Sequence, residues 1–309
     1  MTLYLRRFPV VGSATHAPVA PNPWASLPSM GSGLPRALLQ GLIDDAAVFP
    51  PGLAPLRRAV AEHVARRAYR RFVGPLLVPA TAAADVRELA AGAHLRVGLI
   101  ARPGMPIEPV RVGVAALAGS TVDVAGVEVG AGSAWESLLD LGVPVTVEIP
   151  RDGFAAAIEQ VATVAHQKHR EPLVQAKFRT GATEVWAWPD EAELARFVGA
   201  CLERDLPFKL TGGLHHVLRA DHPGPDGGPQ HGLLNVLAAV HVAAQGAPEA
   251  VVARLLATRD PAPLVDLLTA LTTEQVGRVR WAFTAYGCCT VTDPLGELAE
   301  LHLIDKEHE

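Results

Sequence analysis

The chain has 309 residues, of which 49% are hydrophobic and 19% charged, with a formal net charge of -5. That is enough for one large α/β domain or two modest ones, and it gives no pointer to nucleic acid or an anionic membrane as a partner. Three cysteines (Cys201, Cys288, Cys289), two of them adjacent, make no disulfide framework and imply a reduced, cytoplasmic protein.

Residues 1–33 are rich in Pro, Gly and Ser and read as an arm that wraps the surface or as a disordered lead-in. Arg6 and Arg7 are followed by Pro9, Pro18, Pro21 and Pro23 before any apolar run reaches signal length. The stretch Leu233 to Ala244 is apolar but interrupted by Asn235 and His241, and it is too short to cross a bilayer. The basic group Arg66, Arg67, Arg70 and Arg71 falls at a predicted helix end, where cations interact well with the helix dipole.

From residue 34 to 309 apolar runs alternate with amphipathic segments, the signature of repeated βα units in one domain. Strands are predicted near 44–49, 72–79, 95–101, 121–129, 143–149, 172–180, 206–211 and 281–290. Eight parallel strands with short connections close most economically into a (β/α)8 TIM barrel, which has no exposed edges. Helix starts are marked by Ser133 with Glu136, by Pro189-Asp190-Glu191, and by Thr272 with Gln275. An insert at about 217–278 breaks the rhythm: a Gly/Pro/His-rich loop from Arg219 to Gly232, then helical segments near 233–245, 247–257 and 262–271. It reads as a lid or as the surface of a homo-oligomer.

Alternation along a strand decides which side chains meet inside. The sixth strand puts Gln175, Lys177 and Arg179 on one face, the seventh Lys209 and Thr211, and the fifth Thr146 and Glu148. The fourth is ambiguous, because Asp123 and Glu128 have opposite parity and share a face only across a bulge. Charges enclosed by helices are costly unless paired, and active sites of this architecture lie at the C-terminal strand ends. The alternative for such a cluster is a structural network of salt bridges.

Lys177-Phe178-Arg179-Thr180-Gly181 and Lys209-Leu210-Thr211-Gly212-Gly213 each place a lysine before a glycine turn, and together they resemble the deoxyribose-phosphate aldolase family of class I aldolases. Ile43-Asp44, Val122-Asp123 and Glu148 are similar to further family positions, in the same order, from about residue 42 to 216. The resemblance implies a Schiff-base lysine at Lys177, a neighbour at Lys209 that lowers its pKa, and Asp123 as part of a proton relay; Glu148 and Asp44 are the further catalytic candidates. Burial beside a second cation does lower a lysine pKa, and an ammonium is no nucleophile. Arg179, Thr180, Gly181, Thr211, Gly212, Gly213, His215, His216 and Glu128 are the candidate substrate-binding residues, for a small and anionic carbonyl compound. No cofactor or metal is implied.

Departures from the family accompany the likeness. Leu214-His215-His216 follows the second string, Arg179 replaces a small hydroxyl residue, and Gly287-Cys288-Cys289-Thr290 stands where the family has a serine phosphate loop. Phe49-Pro50-Pro51 and His231-Gly232 resemble other bacterial barrel proteins and bring no activity with them. Two alternatives stay open. His215, His216, His222 and His231 with Glu148 or Glu128 offer donors for a metal-dependent hydrolase or isomerase, although no His-x-His or His-Glu-x-x-His pattern occurs. A barrel that binds a ligand without turnover is the other.

Overall fold

The computed structural model describes residues 33–167, 173–222 and 228–306. Apart from Gly33, the predicted arm lies outside the described residues, as do the start of the predicted sixth strand at residue 172 and part of the His-rich loop. Eight parallel strands close a barrel: β1 (Ile43–Asp45), β2 (Val73–Pro79), β3 (Leu95–Ile100), β4 (Val122–Gly130), β5 (Val145–Glu148), β6 (Val174–Arg179), β7 (Phe208–Thr211) and, last in chain order, β10 (Phe283–Cys288). The ring runs β1-β10-β7-β6-β5-β4-β3-β2, so the chain's first and last barrel strands are neighbours. This is the (β/α)8 architecture.

The outer shell begins with α1 (Arg36–Leu39), α2 (Leu56–Ala65), α3 (Ala83–Ala90), α4 (Glu108–Leu117), α5 (Phe154–Gln167) and α6 (Glu191–Glu203). Outward strand residues bury against these helices. Phe178, Phe208 and Phe283 form a row with Phe197 of α6, with successive ring centroids 4.8, 5.2 and 5.6 Å apart. Apolar burial of this kind is the main drive for closure, at about 25 cal/mol per Å2.

The Asp190 signal holds: its side chain accepts from the Glu193 N–H, and Glu193 returns the bond, making a full capping box on α6. Thr272 and Gln275 do the same for α10 (Thr273–Ala282). Ser133 and Glu136 do not. The Ser133 hydroxyl donates back to the Gly130 carbonyl at 2.7 Å, and the segment Trp135–Leu141 winds as a 3-10 helix with Ala134 before it.

The insert is helical as its pattern predicts, with a short hairpin first. Antiparallel β8 (Ala220–His222) and β9 (Gly228–Gln230) lead into α7 (Leu233–Ala243), α8 (Glu249–Ala257) and α9 (Pro261–Thr269). Helix α7 is buried from Leu233 to His241, so α8 and α9 cover it as a second layer. After β10 comes α11 (Thr292–Glu300), the last helix among the described residues. No helix among the described residues is long and apolar enough to cross a membrane.

Strand β4 carries the bulge that its parity required. Val97 pairs with Val124 but Gly98 pairs with Gly126, leaving Ala125 as the extra residue. Asp123 opposite Arg96 and Glu128 opposite Ile100 therefore share a face, near opposite ends of the strand.

Gly74 in β2 leaves the space that the Asp44 carboxylate fills, and a Cβ there would overlap Asp44 Oδ1. Gly74→Ala should therefore lower the unfolding free energy by about 1–3 kcal/mol in a urea titration, the cost of forcing a packed interior to shift. Unchanged stability would mean that Asp44 has room elsewhere.

Candidate active site

Inside the barrel the side chains are largely polar, and they lie in layers. The lower layer is neutral: Gln175 donates to Thr146 Oγ1 at 2.8 Å, and Thr284 of β10 donates to Gln175 Oε1 at 2.7 Å. One step towards the C-terminal ends, Glu148, Lys177 and Lys209 stand side by side on β5, β6 and β7, in register.

Lys177 Nζ lies 2.9 Å from Glu128 and 2.9 Å from Glu148. Lys209 Nζ lies 2.6 Å from the other oxygen of Glu128 and also bonds Asp44 Oδ2. Arg179 Nε reaches Glu148 at 3.3 Å and extends the chain of charges to the half-exposed mouth. The order is Asp44, Lys209, Glu128, Lys177, Glu148, Arg179. Three negative groups alternate with three positive ones, and all but Arg179 are at least 91% buried.

Alternation makes this burial affordable, because each charge has an opposite partner within hydrogen-bond reach. It also sets the protonation states. Burial opposes ionisation of Glu128, yet Lys177 and Lys209 together outweigh it and hold the carboxyl at about 2. Burial would lower the Lys177 pKa, but Glu128 and Glu148 reverse that and raise it above its ordinary value. Lys209 is raised further, by Asp44 and Glu128 acting against burial. Glu148 is lowered, since Lys177 and Arg179 overcome its burial, whereas Asp44 is raised because burial wins over its single lysine. The expectation that Lys209 lowers the Lys177 pKa is thus corrected: an acid stands between the two amines.

Asp123 is corrected as well. It is exposed at the start of β4, five residues before Glu128 and about 16 Å away along an extended strand, and it takes no part in the cluster. Glu128, expected only as a substrate contact, is the acid that both lysines share.

Above the cluster the two glycine turns face each other. Thr180 N–H donates to Thr211 O at 2.8 Å, and the Thr180 hydroxyl donates to Gly212 O. Gly212 and Gly213 have φ of 65° and 91°, the left-handed region that favours glycine. This fold-back gathers the N–H groups of Gly181, Gly212 and Gly213, which have no protein acceptor among the described residues. With Arg179 packed on Gly212, they form a cradle suited to an oxyanion.

The histidines are occupied elsewhere. His215 Nδ1 lies 3.6 Å from Cys288 Sγ and 3.7 Å from Cys289 Sγ. His216 bonds Glu297 of α11 at 2.6 Å and stacks on His222, ring centroids 3.5 Å apart. His231 is fully buried on the Pro189 carbonyl, and burial holds its pKa down at about 4. Among the described residues no three His, Cys, Asp or Glu side chains converge to hold a metal ion. Asp45 faces outward and accepts from His63 of α2 at 2.9 Å, with Arg66 3.8 Å away. Trp188 packs over Gly213 and Gly228, whereas Trp186 is part-exposed beside Arg151, a residue that no sequence signal singled out.

No protein-family model and no curated protein matches the chain. Among solved structures, a tetrameric deoxyribose phosphate aldolase from Aeropyrum pernix is similar with a TM-score of 0.46 and 11% identity, over 86% of this chain and 93% of that chain. It belongs to the family that the two lysine strings resemble. A likeness of that size carries no argument about chemistry, substrate or assembly.

The protonation states have a testable consequence for stability. The Glu128 pKa is about 2 in the folded protein against 4.5 as the ordinary value, so its contribution is present above pH 4.5 and lost as pH falls towards 2. The difference corresponds to on the order of 3 kcal/mol. Asp44 acts in the opposite sense, since a raised carboxyl pKa costs stability as pH rises past 3.8. Urea unfolding from pH 6 to pH 2 should show a flatter acid slope for Glu128→Gln, together with a loss of about 3–5 kcal/mol at neutral pH from unbalanced buried cations. Equal slopes would show that Glu128 titrates as it does in the unfolded chain.

Proposed function

We propose that this barrel is a lyase of class I aldolase type, in which Lys177 forms an imine with a small carbonyl compound that carries negative charge. The observation that supports this most is the position of Lys177 Nζ, 2.9 Å from each of two carboxylates near the C-terminal strand ends and below the glycine cradle. An imine-forming lysine needs groups that hold the nitrogen and move protons between it and the carbonyl oxygen. Glu148 and Glu128 have those places.

Lys177 must first lose a proton. Passing it to Glu148 means bridging ordinary values of 10.5 and 4.5, roughly 8 kcal/mol before the shifts widen the gap. Release to solvent at pH 8 costs roughly 3 to 4 kcal/mol on the same scale. Solvent release wins.

The neutral amine then adds to the carbonyl carbon. A carboxylate carries a proton from the new ammonium nitrogen to the alkoxide oxygen, and the carbinolamine loses water to give the imine. In the protonated imine, removal of the proton from a β-hydroxyl by a carboxylate breaks the adjacent carbon–carbon bond. The electron pair moves into an enamine on Lys177, and an aldehyde leaves. Protonation of the enamine and hydrolysis return the amine. Lys209 and Asp44 fix Glu128 in place throughout, while Arg179 holds Glu148 and the N–H groups of Gly181, Gly212 and Gly213 face the oxygen that becomes negative as the amine adds.

A second reading keeps the same pocket without turnover, and the raised Lys177 pKa favours it. One experiment separates the two. Borohydride reduction in the presence of small aldehydes should leave a covalent adduct on Lys177 by peptide mass mapping, and Lys177→Met should abolish it. Adduct formation should rise about tenfold per pH unit from pH 7 to 9, because only the deprotonated amine attacks. A chain that stays unmodified across that range belongs to the non-catalytic reading.

A further inference from the structure

The loop after β5 carries an arginine whose bonding is incomplete. Arg151 stands three residues beyond Glu148, so it rises from the same strand end that supplies an acid to Lys177. Its side chain is only 17% exposed, and its Nη2 is fully buried with no hydrogen-bond partner. Its nearest carboxylate, Glu193, is 4.0 Å from Nη1 and already accepts from the Asp190 N–H in the capping box of α6. A buried guanidinium donor without an acceptor is unfavourable, because it has given up water and gained no partner. Over this guanidinium lies the ring of Trp186, from the adjacent loop after β6, with the arginine carbon 5.6 Å from its centroid. Trp186 itself is 38% exposed, so the indole side of the pair faces solvent while Arg151 Nη2 lies beneath it.

We infer that Arg151 and Trp186 form a receptor for a carboxylate at the far end of the substrate, which makes the preferred substrate an aldehyde or ketone with a carboxylate remote from its carbonyl. The inference rests on the imine reading for the word substrate, while the receptor stands on its own geometry. A guanidinium fork matches the two oxygens of a carboxylate, and the indole face orients the fork. Charge decides for a singly charged group, such as one carboxylate end of a dicarboxylate. The cluster below is balanced at three against three and Arg179 is engaged by Glu148, so the available charge is that of Arg151, loosely countered by Glu193. A dianionic phosphate would exceed it.

Succinate tests the receptor without any imine, since it has no aldehyde or ketone carbon for Lys177 to capture. Titrated into the full chain, it should change the Trp186 emission, identified as the part of the signal that Trp186→Phe removes. Arg151→Gln should weaken succinate at least tenfold, and Arg151→Lys should recover part of that loss. Glu193→Gln keeps a side chain able to complete the capping box and removes the competing charge, so it should bind succinate several-fold more tightly. The inference is overturned if Arg151→Gln leaves succinate affinity unaltered, if Glu193→Gln weakens it, or if inorganic phosphate binds more tightly than succinate. The imine reading fails separately, by the absence of an adduct on Lys177 while succinate still binds.

Discussion

One carboxylate is shared by two ammonium groups, and much of the barrel interior is arranged around that sharing. Glu128 offers one oxygen to Lys177 and the other to Lys209, so a single acid bridges the two amines. Without it the two lysines on adjacent, in-register strands would face each other as like charges, each with one acid on its far side. The ends of the chain of charges follow from the same need. Lys209 takes Asp44 as its second partner, Lys177 takes Glu148, and Glu148 is left with an oxygen that draws in Arg179.

Local backbone features serve this arrangement. The extra residue Ala125 in β4 turns Glu128 onto the interior face, and the missing side chain at Gly74 makes the volume for Asp44. Outside the strands the aromatic row on Phe197 supplies apolar burial, so the charged interior does not have to provide the stability of the barrel. The neutral Thr146–Gln175–Thr284 layer closes the cluster from below without adding charge. A charged core over a neutral, hydrogen-bonded floor opens towards the C-terminal strand ends, where the glycine turns and the loops after β5 and β6 lie.

The balance that allows burial also restrains chemistry. Carboxylates that neutralise a lysine hold its proton, and the tighter the pairing, the less amine is present at neutral pH. A lysine tuned by a bare cationic neighbour would have the reverse problem: reactive, but expensive to bury. In this barrel an acid stands between the two amines, so the direct lysine–lysine repulsion expected to lower the Lys177 pKa is cancelled.

The strand count, the barrel closure and the inward positions of Lys177, Lys209, Glu148 and Arg179 were legible in the sequence. They follow from a period of two in side-chain direction and from turn signals that act within a few residues. The start of α6 at Asp190 and the capping box of α10 were legible for the same reason, being set by contacts within a few residues. The choice between Asp123 and Glu128 was not, because it depends on a register shift fixed by the hydrogen bonds of β3 rather than by β4 itself. Nor were the raised lysine pKa values, which sum charges from β1, β4 and β5 at distances that the chain order does not encode, or the meeting of Arg151 with Trp186, which joins two loops. The sequence by itself determined which side chains enter the barrel, since alternation is local; the tertiary structure decided which of them touch, since electrostatic pairing depends on distances that exist only once the ring is closed.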